Sequence, residues 1–180
     1  MAEIDLFANQ LLEEAKRFFE KGREASDVVT KDANFHAALM LAFCAFEAHV
    51  NSIGEEFSGG ILLSVHEKGM LLERDVRLED GEFKLKENLK ITRLEDRVQF
   101  LHAKFSGKPL DTSSEWWTKL VHALQLRNQL THAKTIPAVT ESAVKNAVNG
   151  IIAALDALYK AIYKKSFPAL NQGLQSSLNF

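Results

Sequence analysis

Cysteine, proline and glycine are scarce in this chain: one, three and nine among 180 residues. A single cysteine, Cys44, excludes an internal disulfide and points to a reducing compartment. It falls in the most apolar stretch and reads as a small buried hydrophobe. So few helix breakers favour long, uninterrupted helices. The longest apolar run, residues 37–46, is bounded by His36 and Glu47 and is too short to cross a bilayer. The N-terminus, Met1-Ala2-Glu3-Ile4-Asp5, is acidic and amphipathic and lacks a secretory pattern. A cytoplasmic location without a membrane partner is therefore expected. Nor is there a charge excess: the formal net charge is −2, which argues against a broad nucleic-acid surface and leaves room only for a local basic site.

Familiar chemical signatures are missing as well. There is no glycine-rich phosphate loop, no Cys-x-x-Cys, no His-Glu-x-x-His and no Gly-x-Ser-x-Gly. The six histidines never pair at i, i+4, so neither a helical metal site nor a cofactor is expected. His36 and His49, which flank the apolar run, read as hydrogen-bonded core residues.

What remains is an ordinary globular balance, 46% hydrophobic and 26% charged, in a length suited to one domain. Residues 3–24 carry Leu6, Phe7, Leu11, Leu12, Ala15, Phe18 and Phe19 at helical spacing, with Gly22 at a fraying end. A second helix, capped by Asp32 or Asn34, runs to about Phe57, and its middle is apolar nearly all round, as a covered central helix would be. Residues 61–74 predict a weaker third helix. Alternating apolar positions around Asp80-Gly81 predict a type I′ hairpin over 76–85. Thr92-x-x-Glu95 reads as a capping box opening a helix with Leu94, Val98, Leu101 and Phe105 on one face. Ser113 or Ser114 starts the next helix, which Pro137 separates from the last. That final helix, about 140–165, has Val144, Val148, Ile151, Leu155, Leu158 and Ile162 at 4-3-4-3-4 spacing. The sum is an all-α, up-and-down bundle of about five helices spanning residues 1–167 with a small β-hairpin decoration, followed by a polar C-terminal tail at 168–180.

The densest group of reactive side chains is Arg127-Asn128-Gln129-Leu130-Thr131-His132, at the end of the helix led by Trp116 and Trp117. Asn128 and His132 share a helix face; Arg127 and His132, five residues apart, lie roughly 140° around an ideal helix and can serve a groove that the helix crosses. Thr131 and Lys134 add a hydroxyl and a positive charge. On the apolar helix, Glu47 and Asn51 share a face at i, i+4. An acid amid so much apolar surface needs a partner, and Arg74 or Arg93 would serve as a purely structural one.

The Arg-Asn-x3-His pattern resembles the signature of the HEPN superfamily, small all-helical domains many of which are metal-independent ribonucleases. The resemblance spans about residues 30–165. It rests on that motif, on the acidic Glu47 of the central early helix, and on the order of helices. A second Arg-x4-His spacing, Arg97 and His102, has Val98 where the family has a polar residue, and reads as structural. A toxin subgroup of the family carries a tyrosine two residues after the histidine; here that position is Lys134, so membership of that subgroup is not expected. The resemblance implies a homodimer in which two motif faces meet, with RNA as substrate and 2′,3′-cyclic phosphate and 5′-hydroxyl ends as products. His132 would act as acid or base and Arg127 would stabilise phosphoryl charge, with Asn128 positioning and Glu47 holding the arginine or orienting the histidine. Asn51, Thr131 and Lys134 would support them. A toxin–antitoxin or phage-defence setting, with an antitoxin protein as partner, would suit such a domain. The competing expectations are a non-catalytic HEPN-like binding or dimerisation module, and a helical protein that takes an apolar ligand or partner helix at its aromatic residues.

Overall fold

The structure, a computed structural model, describes residues 3–180; Met1 and Ala2, part of the acidic N-terminus, lie outside the described residues. Six α-helices and one antiparallel hairpin follow in the order α1 (Glu3–Glu24), α2 (Val28–Ser58), α3 (Val65–Leu71), β1 (Arg74–Glu79), β2 (Glu82–Leu89), α4 (Leu94–Ser106), α5 (Glu115–Thr131) and α6 (Glu141–Tyr163), with a short 3-10 turn at Leu170–Gln172. The chain is thus mostly helical with a small β decoration; the expected weak third segment forms a helix, and the described residues hold six helices where about five were expected.

Several boundaries move for local reasons. Helix α2 begins at Val28, not after Asp32 or Asn34, because the Asp27 carboxylate accepts the Thr30 amide at 2.8 Å. Helix α3 is half the length predicted. A Ser64/Glu67 capping box opens it, and it stops at Leu71, where Glu73 turns left-handed (φ 53°) and reverses the chain into β1. The hairpin is accordingly longer than 76–85; its turn keeps positive φ at both Asp80 and Gly81, as a type I′ turn requires. Thr92 does not cap α4. Its amide donates to Glu73 Oε1 at 3.1 Å, and Arg93 takes the cap position without a side-chain bond. Gly22 does not fray: α1 continues two residues further, and Gly22 is buried where an added Cβ would lie 2.5 Å from the Phe35 ring.

The core lies between α2 and α6, which between them pack against every other helix. The predicted stripe of α6 is its buried face, with Val144, Val148, Ile151, Leu155 and Leu158 wholly enclosed. Helix α2 is less completely covered than its composition suggests. By length and composition it could cross a membrane, yet 67% of its apolar window is buried, as in a core helix. Met40 and Leu41 are half-buried and Cys44 is exposed, because among the described residues no element covers that face. Cys44 is therefore not the buried hydrophobe expected; nearby burial and the Glu47 carboxylate hold its thiol above the usual range. The C-terminal segment folds back onto α1. Arg17 Nε donates to the Phe180 carbonyl at 2.9 Å, Ser177 binds Glu13 through its amide (2.6 Å) and hydroxyl (2.8 Å), and Phe180 meets Phe18 edge to face.

Candidate functional site

Three helices and the link from β2 to α4 enclose a groove of about 590 Å³. Helix α2 contributes Glu47, α4 contributes Leu94, Glu95 and Arg97, α5 contributes Leu124, Arg127 and Asn128, and Glu73, Leu89, Ile91 and Arg93 complete the wall. Three arginines face three glutamates, so the groove carries no formal charge excess.

Glu47 and Asn51 stand one helical turn apart on α2 and each takes an arginine from a different helix. Arg127 Nη2 donates to Glu47 Oε1 at 3.1 Å, and its guanidinium carbon lies 5.3 Å from the centre of the Phe43 ring. This places a cation between a carboxylate and an aromatic face, two contacts that fix its plane. Its Nε–H is buried and lacks a partner among the described residues. Arg97 lies deeper, at 3% exposure. Its Nη2 donates to Asn51 Oδ1 at 2.5 Å and to the Leu71 carbonyl at 2.7 Å, while Nη1 is 3.4 Å from Glu73 Oε2. Burial lowers the Arg97 guanidinium from its ordinary range, with Glu73 and then Glu47 acting against that shift. Arg93 meets Glu95 at 3.5 Å on the rim.

The two Arg-x4-His spacings of the sequence therefore deliver their arginines to one groove. Their histidines go elsewhere. His102 lies half-buried beside Trp116, lowered by desolvation, with an unpartnered Nδ1. His132 is the C-cap of α5: its backbone leaves the helical course (φ −121°, ψ 43°) and its ring is exposed. Among the described residues no hydrogen bond or ion pair joins its side chain to Arg127, Asn128 or Glu47. Thr131 turns its hydroxyl back to the Arg127 carbonyl at 3.1 Å, and Lys134 is exposed in the loop beyond. Arg127, Asn128 and Glu47 are brought together, Asn51 joins them through Arg97, and His132, Thr131 and Lys134 do not line the groove.

Glu47 thus takes Arg127, rather than Arg74 or Arg93, as its partner. Arg97, Arg93 and Glu73 were not among the candidate site residues. For Arg97 a signal was legible: it falls between Leu94, Val98 and Leu101 on the apolar face of α4, where an arginine must find acceptors or unfold the site. Glu73 carried no such signal, since its place depends on a turn. His49 is buried as expected of a core residue but is not hydrogen-bonded; both ring nitrogens lack partners among the described residues, and burial pulls it down to about 4. No cluster of three or more His, Cys, Asp or Glu suited to a metal occurs among the described residues. Comparison with protein-family models, with curated proteins and with solved structures finds no match.

Proposed function

We propose that this chain is a HEPN-like helical bundle acting as a metal-independent endoribonuclease. The observation that carries the reading is Arg127: a guanidinium held from behind by Glu47 and the Phe43 ring, beside Asn128 on a groove wall, one turn before an exposed histidine. A guanidinium fixed in this way matches the planar, charge-assisted recognition of a phosphodiester. In RNA the nucleophile is supplied by the substrate as its 2′-hydroxyl. His132 takes the 2′-hydroxyl proton as oxygen attacks the adjacent phosphorus. Arg127 stabilises charge on the non-bridging oxygens, and Asn128 orients the phosphate. The bond from phosphorus to the 5′-oxygen breaks and that oxygen takes a proton from water, giving a 2′,3′-cyclic phosphate and a 5′-hydroxyl. Since His132 stands outside the groove of its own chain, the reading requires a homodimer in which two α5 ends meet and the phosphate lies between them. It places the protein in the cytoplasm, with an antitoxin-like partner able to cover the paired motif faces.

A second reading is favoured by a specific observation: each groove arginine already has a carboxylate, and His132 lies outside. On that reading the bundle binds or dimerises without cleaving. Incubation of purified protein with mixed RNA in EDTA, beside Arg127→Ala and His132→Ala, separates the two. Cleavage by the wild type alone, leaving cyclic phosphates, is expected. RNA binding without cleavage selects the second reading, and undiminished cleavage by either folded variant removes the mechanism.

A further inference from the structure

A second cavity, of about 660 Å³, lies far from α5 in sequence and in composition. Its walls are the first turns of α1 (Asp5, Asn9), Glu56 near the end of α2, and Tyr159, Tyr163 and Phe167 at the end of α6 and just beyond. The three rings form a corner and not a flat stack. Tyr159 and Tyr163 lie 5.1 Å apart at 59°, and Tyr159 and Phe167 lie 5.0 Å apart at 72°. Aromatic faces are electron-rich, and such corners attract cations whose charge is spread over alkyl groups.

Two carboxylates face this corner. The Tyr163 hydroxyl donates to Glu56 Oε2 in a short hydrogen bond, and among the described residues neither Asp5 nor Glu56 has an ion-pair partner. Burial first, and the charges of Asp5 and Glu56 after it, push Tyr159 up to about 12; Tyr163 is raised by burial, by the bond to Glu56 and by the same charges. Both phenols therefore stay neutral. Behind the corner, His49 meets Tyr159 at 6.3 Å and Phe167 at 5.3 Å. Its burial keeps it uncharged near neutrality, so it supplies no competing positive charge. The positive group on the wall is Lys165, exposed at the rim.

We propose that this cavity binds a small organic cation of the alkylammonium class, with the half-buried Tyr159 and Tyr163 rings cradling the alkyl groups, the buried Phe167 ring bracing Tyr159 from the core side, and Asp5 and Glu56 supplying the counter-charge. A hydrated metal ion is a poor match, because aromatic faces replace none of its oxygen ligands. An anion is a worse one, facing two carboxylates. The shared chemistry could belong to a free solute or to a lipid head group; the recessed position between helix ends favours the solute. The assignment does not depend on ribonuclease activity.

Choline titrated into the full chain by calorimetry is the test, beside its neutral isostere 3,3-dimethylbutan-1-ol. The expected result is saturable binding of choline and binding of the isostere at least about tenfold weaker, because the isostere keeps the shape and loses the charge. Glu56→Gln and Asp5→Asn, which preserve shape, should each weaken choline several-fold, and Lys165→Gln should tighten it. A structural role for these side chains would not produce that gain. Equal affinity for the isostere overturns the proposal, and so does the absence of saturable binding by choline. Pelleting with phosphatidylcholine vesicles, without binding of free choline, overturns it in favour of a lipid surface.

Discussion

Arg97→Ala should be the most damaging single substitution in the groove, and its cost can be worked from the contacts it removes. The Arg97 side chain is 3% exposed and satisfies Asn51 Oδ1 (2.5 Å), the Leu71 carbonyl (2.7 Å) and, at longer range, Glu73. Truncation leaves an amide oxygen and a carbonyl in a dry site and a carboxylate without its counter-ion. Removing one partner of a buried, hydrogen-bonded charge typically costs about 3–5 kcal/mol, against total stabilities of about 5–15 kcal/mol. Arg97→Met should recover part of that loss, since it refills the volume and removes a guanidinium whose Nε has no partner. Arg127→Ala offers the contrast. Its pair is open to solvent, with Glu47 46% and Arg127 22% exposed, so screening leaves the pair worth about 0–1 kcal/mol and the Phe43 contact about 0.5–1 kcal/mol more. Urea unfolding followed by the fluorescence of Trp116 and Trp117 reads both variants in one assay. If Arg97→Ala stays within about 0.5 kcal/mol of the parent, or if Arg127→Ala costs as much, the division of the groove into one structural and one chemically available arginine is wrong.

Other consequences are equally direct. His49 has its pKa depressed to about 4 by burial, so near neutrality it is uncharged in both folded and unfolded chains and contributes no pH dependence. As pH falls from about 6.5 towards 4 the unfolded chain takes up a proton that the folded chain refuses, and about 3 kcal/mol of stability should be lost over that window. Comparing unfolding midpoints at the two ends for the parent and His49→Phe isolates this contribution; equal slopes would exclude it. Gly22→Ala should destabilise by about 1–3 kcal/mol despite better helix propensity, because the new Cβ meets a Phe35 ring that is itself 1% exposed. Adding Phe35→Leu should return part of the loss, and a neutral or stabilising Gly22→Ala would disprove the close approach. Ending the chain after Phe167 removes the bonds to Arg17, Glu13 and Glu20 and should cost about 1–3 kcal/mol, visible as a lower Tm. An unchanged Tm would mean that the segment adds nothing to the bundle.

The sequence by itself determined the elements and much of their orientation. Periodicity alone suffices to place α1, α5 and α6 and to name the buried face of α6, because a 3.6-residue repeat leaves one geometry that hides all its apolar side chains. The Asp80-Gly81 pair likewise specifies its turn, since two successive positive φ values suit few other dipeptides. Glu47 could be recognised as a charge in need of a partner on an apolar helix. Which arginine answers it could not be read, because Arg127 is 80 residues away and the pairing depends on how α5 crosses α2. The same holds for Arg97 and Glu73, whose meeting requires α3 to stop at Leu71, the chain to reverse at Glu73 and α4 to lie alongside. It holds also for Cys44 and the C-terminal segment. Composition marks one as buried and the other as a tail, but burial is settled by which neighbours exist to cover a face, and that belongs to the packed chain. Local patterns carry local energies; ion pairs, grooves and uncovered faces arise from long-range packing, and only the tertiary structure decides them.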